Sequence, residues 1–177
     1  MFNFQYWMGR AYYDKKEYDK SIQWYNRALQ VPHDHHSKVY NAMGTSYDDV
    51  KNYDEAESAY KKCLKLNPKD HSAYFNLARV YKARGKSDGA IEWYSKAIKA
   101  NPRYSQAYNN LGIVYKSKGE YDEAIECYRS AVEHNSTDIL ARANLAVCLL
   151  KVENYNEAFS AATRAKECLS NQNNKLS

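Results

Sequence analysis

The chain repeats itself with a period of 34 residues, and this periodicity constrains its fold more than any other feature of the sequence. The segment "SAYFNLARVYKARGKSDGAIEWYSKAIKANP", which begins at Ser72, aligns without a gap on "QAYNNLGIVYKSKGEYDEAIECYRSAVEHNS", which begins at Gln106. The same frame extends over nearly the whole chain as five repeats, 2–35, 37–70, 71–104, 105–138 and 139–172, followed by a short polar tail, 173–177. Periods of this length indicate small structural units that stack on one another and share a core.

Each repeat is predicted to form two helices. In repeat 4 the apolar residues of the first half follow the spacing of one helical face: Tyr108, Leu111, Gly112 and Tyr115. The segment "KSKGEYD" then interrupts the pattern, and Gly119 can adopt the left-handed conformation that ends a helix. A second apolar face follows, and Asn135 is expected to end it in the same left-handed way, as are Asn67 and Asn101 in the two preceding repeats.

Residues of a fixed size recur at fixed positions of the repeat. Small residues share one position: Gly44, Ala78, Gly112 and Ala146. Tyrosines share another: Tyr25, Tyr60, Tyr94 and Tyr128. Two helices can approach closely only where one of them has little side chain, so the small residue is expected to mark the crossing of each helix pair. The tyrosines are predicted to be packing residues whose hydroxyl groups reach the edge of the core.

These positions resemble the motif of the tetratricopeptide repeat family, a set of eight loosely filled slots. Repeats 2 to 4 match it most strongly, whereas repeat 5 has Arg142, Leu149 and Ala162 where bulky aromatic residues are usual. The resemblance implies an all-α fold, a right-handed superhelical solenoid of antiparallel helix pairs. It also implies a function, because proteins of this family hold peptides or partner proteins in the concave groove that the first helix of each repeat lines.

Helical phase places a set of polar and aromatic side chains on the predicted groove. The polar members are Asn41, Asn109, Arg79, Lys82 and Lys116. The aromatic members, which are expected to be exposed, are Tyr6, Tyr13 and Phe75.

Three asparagines of the first helices, Asn76, Asn110 and Asn144, occupy the same position of successive repeats. They resemble the asparagine ladder in the repeat region of O-linked N-acetylglucosamine transferases, which implies that they bind a peptide backbone. An amide side chain suits that role because it both donates and accepts hydrogen bonds. The alternative is that these asparagines hydrogen-bond to their own scaffold.

Charge along the predicted groove is graded. Its acidic residues belong to the first two repeats: Asp14, Asp48 and Asp49. Its basic residues belong to the last three repeats: Arg79, Lys82, Lys116 and Lys151. An extended ligand with an acidic stretch against repeats 3 to 5 would therefore be complementary. The alternative is that these charges only solvate a helix face.

Composition argues against several other classes of protein. The net charge is +5, and the 26 basic and 21 acidic residues alternate without the basic blocks of a nucleic-acid or membrane tail. No apolar run of the roughly 18 residues that a membrane span needs is present, and Asn3 and Gln5 interrupt the N-terminal aromatic segment, so neither a span nor a signal peptide is expected. The four cysteines lack CxxC spacing and are expected to be reduced thiols in a cytoplasmic protein.

No catalytic, metal or cofactor site is predicted. The segment "HDHH", His33 to His36, contains possible zinc ligands, but four adjacent residues of a turn cannot all converge on one tetrahedral centre. No nucleophile paired with a base and no phosphate-binding loop is recognisable, so the chain is not expected to be an enzyme. The predicted function is that of a protein-interaction scaffold or adaptor. An RNA-binding helical-repeat protein is the alternative, which the isoelectric point of about 8.8 permits although the groove is not uniformly basic.

The N-terminal segment "FNFQYWMG" concentrates aromatic residues at one end of the predicted solenoid. Phase places Phe2, Phe4 and Trp7 toward the side on which a preceding repeat would stack. Solenoid ends normally carry polar caps. We therefore expect this face to be covered by another chain, another copy or an upstream segment, and the isolated chain to self-associate.

Overall fold

The computed structural model describes residues 1–173, and every regular element in them is an α-helix. The chain divides into two compact units, an N-terminal unit, Met1–Ala100, and a C-terminal unit, Asn101–Ser177. The N-terminal unit contains α1 (Phe2–Asp14), α2 (Tyr18–Leu29), α3 (His36–Asp49), α4 (Tyr53–Leu66), α5 (His71–Ala83) and α6 (Ser87–Ala100). The described part of the C-terminal unit contains α7 (Ser105–Lys118), α8 (Tyr121–His134), α9 (Ile139–Lys151) and α10 (Tyr155–Asn173). The predicted all-α class is confirmed, and none of these helices has the length and apolar composition that crossing a membrane requires.

Within each unit, consecutive helices pack as hairpins because only short turns join them. The pairs are α1 with α2, α3 with α4, α5 with α6, α7 with α8, and α9 with α10. We call the first helix of each hairpin its A helix and the second its B helix. A B helix also packs on the next A helix of the same unit, as α2 does on α3 and α8 does on α9. Of the predicted polar tail, Asn173 belongs to α10, and 174–177 lie outside the described residues.

The turn inside each hairpin contains one residue with a positive φ angle. Gly119 has a φ of 81°, which confirms the predicted left-handed conformation. The equivalent residues of the other repeats adopt it as well, and three of them are not glycine: Lys16, Lys51, Gly85 and Glu153. A residue with a Cβ atom pays a steric penalty in this region. The geometry of the turn is therefore a property of the hairpin and not of glycine alone.

The asparagines that end the B helices do not adopt a left-handed conformation, so that prediction was wrong. Asn67 has φ and ψ angles of −134° and 86°, and Asn135 has angles of −139° and 90°. In both, the side-chain oxygen instead accepts a hydrogen bond from the backbone N–H two residues ahead, at 3.3 Å for Asn67 and 3.2 Å for Asn135. The asparagine thus ends the helix through a side-chain turn, which needs no positive φ.

The recurrent tyrosines fill the space beside the recurrent small residues. Tyr60 and Tyr128 are fully buried, and a Cβ atom added at Gly44 or Gly112 would lie only 2.6 or 2.8 Å from the nearest carbon of the corresponding ring. The small residue therefore permits the crossing, as predicted. The hydroxyl groups, however, do not reach the edge of the core. The Tyr60 hydroxyl donates to Thr45 Oγ1 at 3.3 Å, whereas the buried Tyr128 hydroxyl has no hydrogen-bond partner among the described residues.

Candidate functional site

The A helices of the N-terminal unit lie side by side, since α1 contacts α3 and α3 contacts α5. We call the surface that they form the N-unit A surface. Its first cross-link joins α1 to α3, where the Tyr13 hydroxyl donates to Asp49 Oδ2 at 2.6 Å. Burial and the Asp49 carboxylate raise the pKa of Tyr13 far above its usual value. The hydroxyl therefore stays protonated and remains a donor at neutral pH.

A second cross-link joins α3 to α5 through an ion pair. Arg79 Nη2 lies 3.3 Å from Asp48 Oδ2. The pair is not aligned as a hydrogen bond, and Asp48 Oδ2 is buried without a hydrogen-bond donor among the described residues. Burial raises the pKa of Asp48, while Arg79 acts in the opposite direction. A carboxylate oxygen on this surface thus keeps unused capacity to accept a hydrogen bond.

The third cross-link joins the same two helices through asparagines. Asn76 Nδ2 donates to Asn41 Oδ1 at 3.1 Å. Of the other two predicted ladder members, Asn110 donates to the Gln106 carbonyl of its own helix at 2.9 Å, and Asn144 Oδ1 accepts from Lys116 Nζ at 2.7 Å. Each of the three amides therefore has a scaffold partner, and their binding to a peptide backbone stays a prediction.

A surface depression of about 410 Å³ lies beside the Asp48–Arg79 ion pair and Asp49. Acidic and basic side chains line it together: Asp48, Asp49, Lys51, Arg79 and Lys82, beside the ring of Tyr53. Lys82 is half-buried, and desolvation followed by the nearby Arg79 charge lowers its pKa. Phase analysis of the A helices did not include Lys51 and Tyr53 because they follow α3, in the turn and at the start of α4. The only sequence signal for this side of the depression was that a tyrosine recurs at the repeat position of Tyr53.

The aromatic residues predicted for the groove are less exposed than expected. Tyr6, Tyr13 and Phe75 are all half-buried. The Tyr6 ring centroid lies 6.0 Å from that of Tyr25, and the Phe75 centroid lies 5.6 Å from that of Tyr94. The Tyr6 and Phe75 rings pack partly on the core because each contacts the recurrent tyrosine of its B helix.

The N-terminal aromatic residues differ sharply in exposure. Phe2 is 6% exposed and stacks on the His33 ring at a centroid distance of 3.9 Å, so the expectation that it belongs to an open face was wrong. Phe4 and Trp7 are 61% and 65% exposed. The "HDHH" segment covers Phe2 and is anchored by His36, whose Nε2–H donates to the Val31 carbonyl at 2.8 Å. Within residues 1–173, no cluster of His, Cys, Asp or Glu side chains could hold a metal ion.

In the C-terminal unit, α7 and α9 contact each other and carry the remaining predicted residues. Lys116 and Asn144 are joined by the hydrogen bond described above. Asn109 is half-buried, and its Oδ1 atom has no donor among the residues that the structure describes. Lys151 is exposed in the last turn of α9. Asn109 therefore keeps a buried amide oxygen without a donor among the described residues, and Lys151 adds an exposed cation.

Comparisons with solved structures identify the fold. A crystal structure of MamA gives a TM-score of 0.85 at 25% sequence identity and covers 94% of this chain and 97% of that one. The structure of BtubC from P. vanneervenii gives 0.82 at 21% identity, with 93% and 78% covered. That of YrrB, a TPR protein with an unusual peptide-binding site, gives 0.72 at 19% identity, with 93% and 84% covered.

Comparisons of sequence agree with the fold. No curated protein sequence matches the chain. Four family models described as tetratricopeptide repeat or TPR repeat match residues 1–69, 59–92, 78–119 and 105–138, and so leave no gap between residues 1 and 138. The helical hairpins, the small and large residues at their crossings and these matches lead to one conclusion: the chain belongs to the tetratricopeptide repeat family.

Proposed function

We propose that this protein is an interaction scaffold whose N-unit A surface binds an extended segment of a partner protein. The tetratricopeptide fold supports the general role of a protein-interaction scaffold. The observation that carries the specific site is the buried Asp48 oxygen, which has no aligned donor and lies in a depression beside Arg79 and Lys82. A ligand that supplies an N–H group would satisfy it.

An extended peptide fits this surface better than a uniformly charged ligand does. A peptide backbone alternates N–H donors with carbonyl acceptors, and the depression offers a carboxylate acceptor beside lysine and arginine donors. The cross-links of Tyr13 with Asp49 and of Asn41 with Asn76 hold the three helices in register before binding. Preorganisation of this kind favours affinity because fewer groups are ordered during association.

A ligand with an acidic stretch remains the prediction for the basic residues. Arg79 is already paired with Asp48, so its charge is partly used within the protein. Lys82 and Lys116 would supply the attraction, and charge reversal at both should slow association at low salt. If neither the charge reversal nor ionic strength changes the association rate, the ligand does not bind near these lysines.

Site-specific photocrosslinking tests the proposed surface. A photoreactive amino acid at Ala83, which lines the depression, should capture partner segments from a displayed peptide library. The same probe at Asn26, an exposed residue of α2, serves as the control. Arg79→Ala combined with Asp48→Ala should reduce capture at Ala83 because both remove groups from the depression. Equal capture at Asn26, or capture that these substitutions leave unchanged, contradicts the proposal.

Two further experiments address the ladder and the RNA alternative. Replacing Asn76, Asn110 and Asn144 by Ala should weaken binding of a selected peptide without unfolding the chain, as checked by circular dichroism. Unchanged affinity would contradict the predicted asparagine ladder. Tighter binding of a labelled single-stranded RNA than of any selected peptide would favour the RNA-binding class instead.

Self-association through the N-terminal face stays a prediction, now restricted to Phe4 and Trp7 because Phe2 is buried. Phe4 also makes an edge contact with Trp24 at a centroid distance of 5.7 Å, so Trp7 is the better position to perturb. Trp7→Lys should shift the sedimentation profile toward the monomer. A wild-type chain that already sediments as a monomer at high concentration contradicts this prediction.

A further inference from the structure

A cleft in the C-terminal unit is lined by two arginines at positions where repeats 2 and 3 have a tyrosine and a lysine. In repeat 2, Lys62 Nζ lies 5.7 Å from the Tyr40 ring centroid. In repeat 3, Tyr74 and Lys96 occupy the same two positions and line one depression. In repeat 5, these positions hold Arg142 and Arg164.

The replacement puts two like charges at positions where repeat 2 has a cation beside an aromatic ring. A cation near an aromatic face is attracted by the ring. Two guanidinium groups repel each other unless an anion lies between them, and arginine stays charged at any pH that proteins meet. Arg142 and Arg164 line the same cleft, of about 280 Å³, between α8, α9 and α10. The pair therefore has a chemical reason to hold an anion.

The geometry of Arg142 leaves part of its guanidinium open. Its Nε and Nη2 atoms donate to the Ser136 carbonyl at 3.2 and 2.7 Å. These two bonds fix the plane of the group, and Nη1 has no acceptor among the described residues. Arg164 is exposed and forms no hydrogen bond or ion pair within residues 1–173. One oriented and one adaptable donor group thus face the same space.

The acidic side chains of the cleft do not neutralise this pair. Glu157 is held by Arg129, which donates to both of its carboxylate oxygens at 2.8 to 3.1 Å. Glu133 also lines the cleft but forms no ion pair with either arginine. Counting Glu133 with Arg142 and Arg164 leaves one net positive charge. This balance favours a single carboxylate over a phosphate dianion.

We propose that this cleft binds a carboxylate side chain of an acidic peptide segment between Arg142 and Arg164. The apolar part of the lining, Val132, Leu145 and Ala161, would receive the methylene groups or an apolar neighbour of the acidic residue. The site uses none of the residues of the N-unit A surface, so the two proposals succeed or fail separately.

The repeats themselves supply conservative test substitutions. Arg142→Tyr and Arg164→Ser install the residues that repeat 4 has at these positions, Tyr108 and Ser130. Arg103→Ser is the matched control, because it removes one positive charge from an exposed loop of the same unit. The probe is a fluorescein-labelled hexaglutamate peptide with blocked ends, followed by fluorescence anisotropy at constant ionic strength.

The wild-type chain should bind this peptide saturably, and Arg164→Ser should weaken the affinity about tenfold, as expected for loss of one charge-assisted hydrogen bond. Arg142→Tyr should weaken it at least as much, whereas Arg103→Ser should change it little. Glu133→Gln should strengthen binding because it removes the competing carboxylate. At one peptide concentration, the peptide should also raise the melting temperature of Arg103→Ser more than that of Arg164→Ser, since stabilisation by a ligand grows with its affinity.

Three results would overturn the proposal. An equal loss in Arg103→Ser and Arg164→Ser would mean that the peptide senses only the net charge of the unit. Weaker binding by Glu133→Gln would contradict the charge count of the cleft. Tighter binding of inorganic phosphate than of the peptide, lost in Arg164→Ser, would show a phosphate site and not a carboxylate site.

Discussion

The two tyrosines Tyr60 and Tyr128 provide a matched experiment on the value of a buried hydroxyl group. Both belong to B helices, both are fully buried, and each ring packs against a glycine of its A helix. They differ in the hydroxyl partner: Tyr60 donates to Thr45, whereas Tyr128 has no partner within the described residues. Burial raises the pKa of both phenols, so both hydroxyls are neutral. We therefore expect Tyr→Phe to have opposite effects at the two positions.

The expected magnitudes follow from the hydrogen bonds. A buried polar group without a partner destabilises the folded state by about 1 to 3 kcal/mol, so Tyr128→Phe should stabilise the protein by about 1 kcal/mol once a small void is allowed for. The bond from Tyr60 to Thr45 is 3.3 Å long, well beyond the common O–H···O distance, and is expected to contribute only about 0.5 kcal/mol. Thr45 keeps its own hydrogen bond to the Asn41 carbonyl at 3.1 Å when the Tyr60 hydroxyl is removed. Tyr60→Phe should therefore destabilise the protein by about 0.5 kcal/mol.

Native-state hydrogen exchange is the suitable assay, because each hairpin of a repeat array can open separately. Amides of α8 should exchange more slowly in Tyr128→Phe, and amides of α4 should exchange faster in Tyr60→Phe. The double variant should show both effects independently, since the two sites share no partner. If Tyr128→Phe speeds exchange in α8, the hydroxyl has a stabilising partner and the reasoning is refuted.

Three other perturbations give simple outcomes. Lys51→Gly should stabilise the protein by about 0.5 kcal/mol and therefore raise its melting temperature. Glycine removes the steric strain of a φ of 61°, and this gain exceeds the entropy that glycine loses on folding. Burial opposes ionisation of Glu57, but hydrogen bonds from Lys61 and Tyr81 prevail and lower its pKa. The ionised Glu57 side chain therefore stabilises the folded protein fully above the pKa that Glu57 has in the unfolded chain, and this contribution is lost as the pH falls through the lower pKa of the folded state. Urea titrations should show that Glu57→Gln destabilises the protein at pH 7 and not at pH 2. Burial raises the pKa of Cys63 to about 12, so iodoacetamide should modify it only after unfolding.

The sequence alone was sufficient to predict the helices, their pairing and the residues at their crossings. Each of these depends on a pattern that is local and repeated. The spacing of apolar residues predicts a helix. The recurrence of a small residue such as Gly44 and a tyrosine such as Tyr60 at fixed positions predicts a close crossing of the two helices. The five repeats also support one another, because a wrong helix assignment in one repeat would not recur in the others at the same 34-residue spacing. The fold class therefore followed from periodicity, and the family followed from the resemblance of the repeated positions to a known motif.

Only the tertiary structure decided which polar side chains are already used by the protein. Asn76 is paired with Asn41, 35 residues earlier in the sequence, and Arg79 is paired with Asp48, 31 residues earlier. Phase shows that such residues share a face, but it does not show which rotamer each selects or which partner it finds. The burial of Phe2 could likewise be seen only in the structure, because the His33 ring that covers it belongs to the irregular segment before α3.

The arginine pair shows how the two sources of information combine. The sequence shows that Arg142 and Arg164 replace residues that are tyrosine and lysine in repeats 2 and 3. It does not show that these positions meet, because they belong to different helices of a hairpin. The structure places both in one cleft, where Glu133 offsets only one of the two positive charges. A departure from the repeat pattern acquires chemical meaning only when packing shows what each repeat position contacts.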